Sequence, residues 1–170
     1  MEVSLKTVVI FLALLTTGLS SGLFYAWQVS VIPGTKRVSD FSYLETMQQI
    51  NRAIINPWFM FIFFGALLFL AWSTYFCYQA VDRNVLTLMA LATISYALGT
   101  FGVTGAGNVP LNDWLDSANI NQLDELKLIE IRANYEPKWN RYHLVRTIFS
   151  VLSFGLLLVA IIIETTINQS

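Results

Sequence analysis

Four separate stretches of the chain, residues 7–32, 57–79, 85–104 and 147–163, are rich in apolar side chains and contain no Asp, Glu, Lys or Arg. A hydrocarbon core about 30 Å thick takes about 20 residues of helix to cross, with a range of roughly 17–25. Each stretch meets that length, so the expected fold is all-α: a four-transmembrane-helix bundle forming one integral membrane domain over residues 1–170. The first stretch follows Lys6 and contains Gly18-Leu19-Ser20, as a cleavable secretory signal would. Its apolar run continues through Phe24, Tyr25, Ala26 and Trp27, well past the usual signal length, and is read as a retained helix.

Composition narrows the functional classes. The chain is 55% hydrophobic and 12% charged, with a net charge of −1. No basic field exists to attract nucleic acid. One cysteine, Cys77, and one histidine, His143, exclude an internal disulfide and a Cys/His metal cluster, so no metal site is expected. Neither a charged intramembrane relay nor an inverted repeat points to a transporter. Gly18 and Gly22, four apart, suit close packing inside the bundle better than dimerisation, and nothing else indicates an oligomer.

Between the spans, residues 40–55 and 108–143 are expected to form an extramembrane cap of short amphipathic helices. Pro33-Gly34 is a breaker pair expected to end the first helix. Ser39 or Asp40 suits the cap of a helix over residues 41–54, in which Phe41, Leu44, Met47 and Ile50 recur at three to four. Asn56-Pro57 opens the second span, with Trp58, Tyr75 and Tyr78 as interfacial anchors. Residues 80–84 make a tight hairpin to the third span, which is expected to end in Gly99, Gly102, Gly105 and Gly107. Asn112 or Asp113 suits the cap of a helix reaching Tyr135, which Pro137 breaks. The last helix is then expected from about Pro137 to Ile167. Eight of the ten basic residues fall in the two longer loops and the start of the last helix, leaving only Lys6 and Arg83 on the other side. That asymmetry favours a cytoplasmic placement for those loops.

Trp139, His143 and Arg146 are spaced by four and three, hence on one helical face. Thr147, Ser150 and Ser153 continue that face. Imidazole is the side chain whose ordinary pKa lies nearest neutrality, which makes His143 the candidate base. Arg146 can hold an anionic or carbonyl oxygen in its fork of donors, and Trp139 can stack on a flat ligand. The alternative for Trp139 and Arg146 is interfacial anchoring and snorkelling. Asn108 and Asn112 flank Pro110, and each suits a helix terminus as well as a pocket. Gln48, Asn51 and Asn56 bring further amides to the same membrane face, as candidate substrate-binding groups or as a solvated helix face.

The stretch from Gly22 to Pro33, Phe41 through Asn51, and Asn56 are all features shared with one known family. So are Asn108-Val109-Pro110-Leu111-Asn112 and the Trp139, His143 and Arg146-Thr147 spacing. Together they resemble the anthrone oxygenase-like family of small four-helix membrane proteins. The resemblance implies oxidation of a lipophilic aromatic anthrone to an anthraquinone by O₂, with no metal, flavin or other cofactor. His143 would be the base, Trp139 the stacking or radical-stabilising partner, and Asn108 or Arg146 the oxyanion donors. The competing class is a non-enzymatic membrane protein that presents its cap to a partner or holds a hydrophobic small molecule.

Overall fold

A computed structural model describes residues 4–79 and 82–167. Those residues form five helices: α1, Leu5–Thr35; α2, Asp40–Ala53; α3, Pro57–Tyr78; α4, Arg83–Asp116; and α5, Glu125–Ile167. All but α2 are long and apolar enough to cross a membrane. Within the expected hairpin between α3 and α4, Ala80 and Val81 lie outside the described residues.

Polar side chains fix where the helices begin. The Ser39 hydroxyl accepts from Ser42 N at 3.3 Å, Asn56 Oδ1 from Phe59 N at 3.0 Å, and Asp82 Oδ1 from Val85 N at 3.0 Å. Asp124 Oδ1 accepts from Lys127 N at 2.8 Å, so the last helix starts there rather than at Pro137. Each bond satisfies an amide with no partner inside its own helix, worth about 1 kcal/mol.

The four long helices pack in the cyclic order α1–α3–α4–α5. Their shared core alternates small residues, Ala13, Ala66, Ala92 and Ala160, with Phe24, Phe63, Leu70, Met89, Tyr96 and Leu157. Small residues bring the backbones close, which is how helices adhere when lipid is as apolar as leucine. Ser20 and the Tyr96 hydroxyl share a hydrogen bond of 2.8 Å, and Tyr96 donates to the Phe63 carbonyl at 3.2 Å. At one end, α2 lays Tyr43, Leu44 and Met47 against Leu115 of α4 and Leu128, Tyr135 and Trp139 of α5. Arg132 binds the Thr35 and Val38 carbonyls and Asp40, tying α5 to the α1–α2 link.

Three expected helix ends are not ends. Helix α1 runs through Pro33-Gly34, α4 runs through its glycines and Pro110, and α5 runs through Pro137. Residues 108–143 are therefore mostly extensions of α4 and α5, joined by a link over residues 117–124 that includes a single 3₁₀ turn, Ile120–Gln122. The physical reason in α1 and α4 is a change of helical register. Trp27–Val31, Ser95–Gly102 and Thr104–Asn108 are π-helical. There the amides of Ile32, Val103 and Val109 bond to the carbonyls five residues back, Trp27, Leu98 and Thr104. The wider turn displaces the carbonyl that a following proline ring would strike. In α5, Arg132 and Tyr135 on one side of Pro137 and Trp139 on the other are held by hydrogen bonds to other helices. Those contacts outweigh the roughly 3 kcal/mol that an interior proline costs.

Gly99 permits the closest α4–α5 approach. A Cβ there would lie 2.0 Å from Phe149 Cγ, a clash that ring rotation cannot relieve. Gly99→Ala is expected to lower the thermal midpoint of the detergent-solubilised protein, by an overpacking cost of about 1–3 kcal/mol. Adding Phe149→Ala is expected to recover part of that loss. An unshifted midpoint in the single variant would show that the two helices separate freely at this level.

Candidate functional site

The inward face of α5 carries Tyr135, Trp139, His143 and Arg146, all buried. The Trp139 ring stacks on the His143 ring with centroids 5.1 Å apart and planes within 6°. Both imidazole nitrogens are engaged. Arg146 Nε and Nη2 point at His143 Nδ1 from 3.2 and 2.9 Å, and a guanidinium can only donate, so Nδ1 is an acceptor. The ring proton therefore sits on Nε2, which donates to the Phe24 carbonyl at 3.1 Å. That carbonyl lies one turn before the π-helical stretch of α1.

Arg146 is a buried cation without a counterion. Among the described residues it forms no ion pair; the pairs found there belong to Lys6, Arg52, Lys127 and Arg132. Its guanidinium lies instead 4.5 Å from the centroid of the Phe24 ring and 5.2 Å from that of Trp139. Such faces attract a desolvated cation by about 2 kcal/mol, less than the several kcal/mol of burying it.

Beside the stack runs a chain of hydrogen bonds. Asn51 Nδ2 donates to the Tyr135 hydroxyl at 3.1 Å, Tyr135 donates to Asn112 Oδ1 at 3.1 Å, and Trp139 Nε1 donates to the same oxygen at 2.8 Å. It ties α2, α4 and α5 together and fixes the tilt of the indole over the imidazole.

These groups form one end of a cavity of about 410 Å³ whose remaining wall is largely aromatic: Phe24, Trp27, Phe59, Phe63, Phe64 and Phe101. Cavities of roughly 300–1,000 Å³ with apolar walls and a few polar groups are the usual form of small-molecule sites. The polar part of the lining also includes Arg52 and Asp116, paired at 2.7 Å. Each π-helical segment touches this space, through Trp27, Phe101, Thr104 and Gly105.

Of the residues singled out from the sequence, His143, Trp139, Arg146, Asn112 and Asn51 line the cavity. Asn112 lies inside α4, where it receives two donors rather than capping a helix. Asn108 is buried beside the cavity, giving its amide to the Trp139 carbonyl at 3.2 Å while its Oδ1 has no protein partner. Gln48 donates to the Leu115 and Ala118 carbonyls at 2.8 and 2.9 Å, closing the end of α4. Asn56 caps α3. The imidazole and the two asparagine amides share no hydrogen bond and are joined through Trp139. Tyr135 is the participant that sequence reasoning passed over; its position four residues before Trp139 was the available signal.

Asn112→Ala is expected to leave the Trp139 N–H and the Tyr135 hydroxyl without their acceptor, at a cost of about 1–3 kcal/mol. Circular dichroism in the aromatic region is expected to weaken as the indole loosens. Asn112→Asp, which retains the oxygen, is expected to preserve the signal. Identical spectra for the alanine variant and the parent would mean that stacking alone orients Trp139.

A comparison with known families matches residues 58–156, from the first turn of α3 well into α5, to the family described as anthrone oxygenase. No curated protein and no solved structure matches the chain. The matched segment covers more than half of the chain and includes Trp139, His143 and Arg146. The chain belongs to the anthrone oxygenase family.

Proposed function

We propose that the protein is a multi-pass membrane oxygenase, independent of cofactors, that oxidises a lipophilic aromatic substrate with O₂. In this reading α2 and the ends of α4 and α5 form a cap outside the lipid, on the cytoplasmic face. The observation that carries the proposal is the unpaired Arg146 guanidinium in contact with His143 at the end of an aromatic-walled cavity.

The chemistry follows from those two groups. A hydroxyanthrone is a flat molecule with an acidic ring CH₂ conjugated to a carbonyl. Its carbonyl oxygen, which gains negative charge as the CH₂ loses a proton, is placed at Arg146. As Arg146 turns to that oxygen it releases His143 Nδ1, whose lone pair takes the proton. The resulting carbanion is electron-rich enough to give an electron to O₂, after which a C–O bond forms. Loss of the second C–H proton and cleavage of the O–O bond leave a quinone carbonyl and water. The balance is anthrone plus O₂ giving anthraquinone plus H₂O. Trp139 stacks on the imidazole and holds its plane, while Asn108, with one free amide oxygen, lies close enough to Trp139 to position it.

A second reading is favoured by one specific observation: both imidazole nitrogens are already bonded, as in a site that holds a ligand without transferring a proton. The two readings part in one experiment. Protein in nanodiscs is supplied with 1,8-dihydroxyanthrone and O₂, and anthraquinone is followed by absorbance. His143→Ala is expected to bind the anthrone but to lose at least a hundredfold in turnover, the ordinary range for a general base being about 10²–10⁴. Arg146→Gln is expected to weaken anthrone binding at least tenfold without lowering the thermal midpoint, because it removes a buried unpaired charge. Tight binding with no quinone from the parent protein would favour the holding role; unchanged turnover in His143→Ala would remove the imidazole from the mechanism.

A further inference from the structure

The cavity lining reaches exposed side chains at two places of opposite character. One is the polar rim at Arg52 and Asp116. The other lies between α3 and α4. These helices are joined near their hairpin, where Thr74 bonds to Thr93 at 2.8 Å and to the Met89 carbonyl at 3.1 Å. They meet again where the Phe101 ring packs on Phe63 and Phe64, with centroids 5.3 and 5.2 Å apart. Past Phe101 no ring contact or hydrogen bond joins the described residues of the two helices. Past that contact Met60 on α3 and Gly105 and Val109 on α4 flank the gap, with the Phe64–Phe101 contact at its closed end, and all five line the cavity. All are at least partly open to the outside, Phe64 at 52% and Val109 at 43%. A Cβ placed on Gly105 would meet nothing within 4 Å.

Depth decides what lies outside this gap. Trp58, 80% exposed, marks the interface at the start of α3, and Met60 and Phe64 follow it into the apolar span. At 1.5 Å per residue, Phe64 lies about 9 Å deeper than Trp58. The rim of the gap carries no charged or hydrogen-bonding side chain, as expected of a surface bathed in acyl chains.

Resting on the reading that the cavity holds an aromatic ligand, we propose that this ligand enters from the bilayer through the α3–α4 gap, with Gly105 as its threshold. A planar aromatic molecule dissolved in lipid slides edge-on between Phe64 and Val109, past Gly105. Its oxygen leads toward Arg146 on the far wall. The polar rim serves small polar molecules, not the aromatic ligand.

Two measurements test this. In phosphatidylcholine vesicles under argon, 1,8-dihydroxyanthrone binding is timed by quenching of tryptophan fluorescence. Gly105→Phe and Val109→Phe are expected to slow association at least tenfold, whereas Gly105→Ala and Asp116→Phe bind at the parent rate. Slow binding by Asp116→Phe, with Gly105→Phe unaffected, would overturn the proposal in favour of the polar rim. Absence of quenching in the parent would remove the ligand reading and, with it, the route. The second measurement needs no ligand. A bimane label on Gly105→Cys, in a Cys77→Ala background, is expected to be quenched by brominated acyl chains and not by aqueous iodide. The reverse pattern would overturn the route while leaving the cavity's function intact.

Discussion

Hydrocarbon offers no hydrogen bonds, so every backbone amide in a span must find its acceptor within the protein, and each failure costs several kcal/mol. This chain meets that demand while carrying Pro33 and Pro110 inside long helices and glycines at 99, 102, 105 and 107. It does so by shifting the pairing of Ile32, Val103 and Val109 to carbonyls five residues back. A π-helical turn is wider than an α turn and directs side chains differently from its flanks. In α1 it turns Trp27 toward the centre; in α4 it presents Phe101 and Thr104. The cavity and the backbone irregularities therefore coincide, each π-helical segment contributing side chains or backbone to the lining.

Electrostatics sets the second condition. A guanidinium buried among Phe24, Trp139 and His143 is unfavourable by itself, since ring faces and one imidazole lone pair offset only part of its lost hydration. The cost is borne by the packing of α1, α4 and α5 around it. Small groups contribute: Thr100 Oγ1 donates to the Arg146 carbonyl at 3.3 Å and Thr147 Oγ1 to the His143 carbonyl at 2.7 Å, both buried.

The sequence disclosed the four apolar helices, a cap at Ser39 or Asp40 and the shared face of Trp139, His143 and Arg146, because each is encoded locally, in span length, cap chemistry or helical spacing. What it concealed depends on contacts between distant residues. Proline and glycine read as breaks at 33, 107 and 137, yet partners elsewhere in the chain make continuation the better state. Treating Pro137 as a boundary also separated Tyr135 from the residues whose face it shares. The amides of Gln48, Asn51 and Asn56 are indistinguishable by type and differ only by tertiary position: one closes α4, one joins the hydrogen-bond chain to the indole, one caps α3.

At the end of the bundle away from Trp139, Lys6 of α1 pairs with Glu164 of α5, both partly shielded. The two residues are separated by 158 positions, so this one pair clasps α1 to α5 across nearly the whole sequence. Neutralising Glu164 would leave the Lys6 ammonium unmatched on a partly shielded surface, and that end of the bundle would lose the one ionic clasp it has among the described residues.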